Sequence, residues 1–139
     1  MVTVPNVVTD TPALATNPVF LYFSDPFQRP VPFRADVVVS IDDVYEKKLD
    51  MIDAHAGETY DWIPWHDNYP EKVPTSPAER RAWLTKERPS LVEPAWRPAL
   101  EKRYGSRATS IQRAEAFEIA EYGRQPEEAE IRKLFPFFS

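Results

Sequence analysis

The sequence predicts an α/β fold of short strands and helices joined by long proline-rich loops. Three observations carry this expectation. Hydrophobic residues make up 42% of the chain and aromatic residues 13%, enough to build a core. Fifteen prolines stand against 3 glycines, and proline interrupts helices and interior strands because it fixes φ and lacks a backbone donor. Runs of β-branched and aromatic residues also alternate with segments of helical period.

Taken in order, residues 1–17 read as a connecting segment. Pro5, Asn6, Asp10, Pro12 and Asn17 interrupt small apolar residues, and no helical period survives. Pro18 to Phe23 reads as a buried strand closed by a turn at Ser24-Asp25-Pro26. Pro26, Pro30 and Pro32 make the next stretch an extended loop. Asp36 to Ile41, apolar on consecutive positions, suits a second strand covered on both faces.

A helix is then expected from about Asp42 to Ala54, capped by Ser40 or Asp42 and stopped by Gly57. Val44, Tyr45, Lys48, Leu49 and Ile52 mark its buried side. Tyr60, Trp62, Ile63 and Trp65 form a dense aromatic patch cut by Pro64. Ser76-Pro77-Ala78-Glu79 begins a further helix with a capping serine, proline at the first position and glutamate at the third. That helix ends before Pro89. A short helix spans Pro98 to Tyr104 and stops at Gly105. Ile111 to Tyr122 fits either a helix or a strand. Pro126 to Leu134 has acidic residues early and Arg132-Lys133 late, the order that suits a helix dipole. The apolar tail Phe135-Pro136-Phe137-Phe138 needs something to pack on.

The chain carries 17 basic and 22 acidic residues, a formal charge of −5, which disfavours nucleic acid as the main partner. Arg80-Arg81, Lys86 to Arg88 and Lys102-Arg103 read as solvated helix faces beside acidic neighbours. There are no cysteines, so disulfides and thiolate metal sites are excluded. The longest apolar run, Val19 to Phe23, is too short to span a bilayer. No charged segment followed by an apolar one opens the chain, so cytoplasmic residence is expected.

For chemistry the candidates are few. His55 and His66 are the two histidines, whereas a catalytic zinc usually takes three protein ligands. Glu115, Glu118 and Glu121 lie three apart, in line on a helix or on both faces of a strand; a solvated acidic face is the expected reading. Tyr60 to Trp65 offers aromatic faces suited to a sugar, although core packing beneath a proline-rich loop is the simpler expectation. The scattered glycines form no phosphate loop, and no serine sits in a nucleophile elbow. No residue is assigned as catalytic, cofactor-binding or metal-ligating.

Several stretches in order resemble the later part of PIG-L/LmbE-like zinc-dependent N-deacetylases. They are Asn17 to Phe23 with Asp25-Pro26-Phe27; Phe33 to Val39 followed by Ile41, Val44 and Lys47-Lys48-Leu49; Tyr60 to Trp65; and Ala114 to Glu118 through Glu121-Tyr122-Gly123-Arg124 to Phe137. The resemblance implies a Rossmann-like α/β sandwich and hydrolysis of an N-acetyl group on an amino sugar or its conjugate. Zinc in such an enzyme polarises the amide carbonyl and activates water, with an Asp as general base.

The family's metal motifs, His-Pro-Asp-Asp and His-x-Asp-His, do not occur in this sequence. Ser40 stands where members often have Asp, and Ala56-Gly57-Glu58 replaces their x-Ser-Gln after His55. The resemblance therefore implies a single partial domain, 1–139, corresponding to a carboxyl-terminal portion. Within it, 1–17 is the connecting segment, 18–56 a strand-loop-strand-helix unit and 57–139 a proline-rich helical and aromatic extension. Such a portion is expected to be inactive alone and to hold no cofactor. Its expected partner is a complementary amino-terminal half that carries the zinc and meets the N-acetyl sugar substrate. The competing expectation is a non-catalytic binding or interaction module derived from the same family.

Overall fold

The computed structural model describes residues 10–138. The expected connecting segment therefore falls partly outside the described residues. In chain order the elements are β1 (Leu21–Phe23), β2 (Val37–Ser40), a 3-10 turn (Asp42–Val44) and α1 (Tyr45–Ala54). A π-helical turn (Gly57–Trp62), α2 (Ile63–His66), α3 (Pro77–Glu87), α4 (Arg97–Tyr104), β3 (Ala114–Ile119) and α5 (Glu128–Leu134) follow. The fold is mixed α/β, as the composition and periodicity predict. Its strands form a small three-stranded antiparallel sheet of order β1-β3-β2. No helix among the described residues is long and apolar enough to cross a membrane.

The chain divides into two compact units. The first comprises residues 10–39, 94–109 and 116–138 among those described. Here β1 pairs antiparallel with β3, Leu21 opposite Ile119 and Phe23 opposite Phe117. β1 is shorter than the expected Pro18–Phe23 strand and lies at a sheet edge, with Phe23 71% exposed rather than buried. Pro18 lacks a backbone donor and does not extend it. The carbonyls of Pro18 and Phe20 nevertheless accept the amides of Arg124 and Ala120, each at 3.0 Å, so the two segments stay side by side beyond the strand.

The ambiguous Ile111–Tyr122 stretch resolves as a strand. Small buried Ala114 and Ala116 sit at alternate positions, the period of two that a sheet imposes. Val37 and Val38 of β2, Leu100 and Tyr104 of α4, Ile131 of α5 and Phe138 are the main buried side chains of this unit. Of the apolar tail, Phe138 is buried and lies edge-on to Tyr104 at 5.3 Å, whereas Phe137 remains 52% exposed. Arg103 is buried, donating to the Asp36 carbonyl at 2.8 Å and pairing with Glu128 at 3.3 Å.

The second unit comprises residues 40–93 and 110–115. Ile41, Tyr45, Leu49, Tyr60 and Leu84 form its core, with Ile52, Val73 and Trp83 packed against it. The expected helix from Asp42 begins instead as the 3-10 turn, with Ile41 rather than Ser40 or Asp42 at its N-cap position. The Asp42 carboxylate is used elsewhere, accepting the amides of Gln112 and Arg113 at 3.1 and 2.7 Å. Val44, within that 3-10 turn, is 52% exposed and not on the buried side.

Gly57 does not end α1 in a left-handed turn. The helix closes at His55, whose amide reaches Ile52, and Gly57 opens the π turn. α3 starts at Pro77 as expected, but the Ser76 side chain forms no cap. Its carbonyl accepts the amides of Glu79 and Arg80 instead, each at 3.1 Å.

Candidate functional site: an aromatic cleft in the second unit

Pro64 shapes the site. A proline within a helix removes an amide and its ring presses on the carbonyl four residues earlier, here that of Tyr60. The backbone widens into the π turn immediately upstream, where the Ile63 amide reaches back to Glu58. Pro64 itself is fully buried. The widened turn points its side chains two ways: Thr59 and Tyr60 go inward, while Asp61 and Trp62 stay exposed.

Tyr60 is anchored from several directions. Its hydroxyl donates to Asp53, its ring centre lies 5.9 Å from that of Trp83, and the Arg80 guanidinium sits 4.4 Å above the ring. Burial, the hydrogen bond to Asp53 and the charge of Asp53 push its ionisation up to about 12, against weaker opposition from Arg80 and Arg81.

Around this anchor opens a cleft of about 720 Å³ lined by Tyr60, Asp61, Trp62, Trp65, Thr75 and Arg80, with Pro70, Val73 and Pro74 completing the apolar wall. Trp62 and Trp65 are 56% and 69% exposed. The expectation that Tyr60 to Trp65 packs into the core thus holds for Tyr60 and fails for the two tryptophans. Three residues apart, they line the cleft while Pro64 between them, in the first turn of α2, is buried.

Arg80 is the residue that sequence reasoning missed. Arg80 and Arg81 are both half-buried, but only Arg81 meets acidic neighbours as a helix-face cation would, Glu46 at 2.5 Å and Asp50 at 2.7 Å. Arg80 donates its Nε to the Pro74 carbonyl at 3.1 Å and lines the cleft. No periodicity separates two adjacent arginines into these roles; the position of Tyr60 does.

The other sequence candidates are not drawn together. His66 meets Asp67 at 2.7 Å and stacks on Trp62 with ring centres 5.3 Å apart. His55 borders a separate cavity of about 270 Å³ with Glu58 and Arg88. Glu115 pairs with Lys48 at 2.8 Å, Glu118 accepts the Arg34 amide at 3.0 Å, and Glu121 lies beyond the end of β3. Among the described residues no three His, Asp or Glu side chains group closely enough to hold a metal ion.

In the first unit a cavity of about 560 Å³ lies between residues 14–21 and the Phe135 region. Its one cation, Arg124, is already committed to Glu130 and to the Asn17 carbonyl. The cleft in the second unit is therefore the stronger candidate. No family model, curated protein or solved structure matches this chain.

Proposed function

We propose that this chain binds a sugar-type ligand in the Tyr60–Arg80 cleft and contributes recognition rather than bond cleavage. The exposure of Trp62 and Trp65 on one cleft carries the reading. Fully burying a large apolar side chain stabilises a fold by roughly 1.5–3 kcal/mol, and this unit forgoes that gain twice within four residues. Two indoles held beside polar groups suit a ring ligand with apolar faces and hydroxyl edges.

The test is a titration of the purified chain with N-acetylglucosamine, followed by isothermal calorimetry. Trp62→Ala and Trp65→Ala are expected to abolish the signal while the melting temperature holds. General destabilisation of about 3–5 kcal/mol per ring would instead assign both indoles to the core and sink the reading.

The resemblance described above supports a wider reading of the same site. The chain would be the carboxyl-terminal portion of a cytoplasmic PIG-L/LmbE-like zinc-dependent N-deacetylase, its cleft one wall of the substrate site. The three-stranded sheet would then be part of a larger Rossmann-like sandwich, completed by an amino-terminal half that carries the zinc ligands. Coding DNA upstream of Met1 tests this. An adjacent His-Pro-Asp-Asp and His-x-Asp-His segment is expected, and its absence leaves a binding module derived from such an enzyme.

A further inference from the structure

Building on the ligand-binding reading, we infer that the cleft selects an acidic sugar, a pyranose ring bearing a carboxylate or phosphate, with Arg80 as the residue that receives the acidic group. Arg80 is half-buried and set 4.4 Å over the Tyr60 ring, and its Nε is held by the Pro74 carbonyl. None of the ion pairs among the described residues involves it, although its neighbour Arg81 takes two carboxylates. A guanidinium so placed has its plane fixed before any ligand arrives. Planar bidentate recognition of a carboxylate or phosphate then costs little further ordering.

The rest of the cleft narrows the choice. A free inorganic anion leaves Trp62 and Trp65 uncovered, whereas the C–H face of a pyranose lies flat on an indole. His66 stacked on Trp62 at 28° between ring planes steadies that indole. Asp61 lines the same cleft, and its carboxylate would repel an anion placed beside it. It instead accepts hydroxyl groups, which a ring sugar supplies and a flat aromatic acid does not. Hydroxyls at Asp61 and the acidic substituent at Arg80 fix the ligand's direction in the cleft.

The experiment follows the indole N–H signals of the full chain by NMR, with Trp62 and Trp65 assigned through Trp62→Phe and Trp65→Phe. Glucose 6-phosphate, glucuronate, glucose and inorganic phosphate serve as probes. Glucose 6-phosphate or glucuronate is expected to shift both signals saturably and to bind about ten-fold more tightly than glucose, the gain of one charge-assisted contact. The better of the two acids identifies the acidic group. Arg80→Gln is expected to bring the acids down to the affinity of glucose at an unchanged melting temperature. If that variant fails to fold, Arg80→Lys, which keeps the charge and loses the fork, is expected to weaken the acids alone. Equal binding of glucose and the acids would overturn the acidic selection while leaving the ligand-binding reading intact. Inorganic phosphate binding as tightly as glucose 6-phosphate would overturn the sugar, and silence from every probe would overturn both.

Discussion

Tyr60 shows how one side chain serves two purposes. Its hydroxyl fastens the π turn to α1 through Asp53, and its ring supports Arg80 at the edge of the cleft. Since its ionisation is raised to about 12, the stability that it contributes is fully present below the unfolded value of about 10 and is lost as pH rises through about 12. The tyrosinate absorbance of the wild type minus that of Tyr60→Phe should therefore show a midpoint near 12. A midpoint near 10 would show that the Asp53 bond does not persist in solution. Asp53→Asn, which removes the charge and keeps an acceptor, should lower the midpoint.

Residue types alone made the aromatic patch visible but not its division. Tyr60, Trp62 and Trp65 all belong to classes that are usually well buried, and proportion favours a core role for each. What separates them is the extra backbone width of the π turn before Pro64. That turn rests on an i to i+5 bond between Glu58 and Ile63, which no propensity scale encodes.

At the level of elements, glycine matters most where chains meet closely. A Cβ at Gly123 would stand 2.9 Å from Cδ2 of Phe20 and 3.0–3.1 Å from backbone atoms of Phe20 and Pro18. The backbone there is tied, Arg124 donating to Pro18 and Ala120 to Phe20, so it cannot retreat without breaking those bonds. Gly123→Ala should destabilise the first unit by about 1–3 kcal/mol in urea unfolding. Gly57→Ala, with open space around its Cβ and no positive φ, should be neutral or slightly stabilising. Equal effects of the two substitutions would mean that the close approach of residues 18–20 to residue 123 is absent in solution.

The helix starts teach a related lesson. Ser76-Pro77-Ala78-Glu79 was legible as a boundary, and α3 does begin at Pro77, because proline's fixed φ acts whatever surrounds it. That the expected serine cap does not form was not legible, because a serine side chain's rotamer is a tertiary matter. Asp42 makes the same point: its carboxylate takes the amides of Gln112 and Arg113, seventy and seventy-one positions away.

For the molecule as a whole, three carboxylates of the first unit, Asp36, Glu128 and Glu130, are held below their usual range, and the first two are expected to weigh most on stability in acid. Burial pushes Asp36 upward. The Arg34 side chain, the Ile119 amide and the charges of Arg34 and Arg103 outweigh it, so the carboxyl lies below its usual range. Glu128 is also lifted by burial, then lowered below its usual value by Lys102, Arg103 and Arg132. Groups held low in the folded state contribute stability that is complete above their unfolded values, about 3.9 for Asp and 4.3 for Glu. That contribution is lost as pH falls through the folded values. Melting temperature should accordingly drop with acidification below about pH 4, and Asp36→Asn should flatten that slope. An unaltered slope in this variant would remove Asp36 from the account.

From the sequence by itself came the mixed α/β class, the proline-set helix starts, the placement of α4 before Gly105 and the exclusion of thiol chemistry. All of these follow from local rules: φ restriction, side-chain period and residue chemistry act over a few positions and are written in adjacent letters. The tertiary structure decided that Ile111–Tyr122 contains a strand, that Trp62 and Trp65 face solvent, and that of two adjacent arginines only Arg80 lines the cleft. Each of those outcomes depends on something that adjacent letters do not show: pairing with Leu21–Phe23 for β3, the π turn before Pro64 for the indoles, and the place of Tyr60 for Arg80. Burial and pairing are relations between distant segments, and only the folded chain brings their members together.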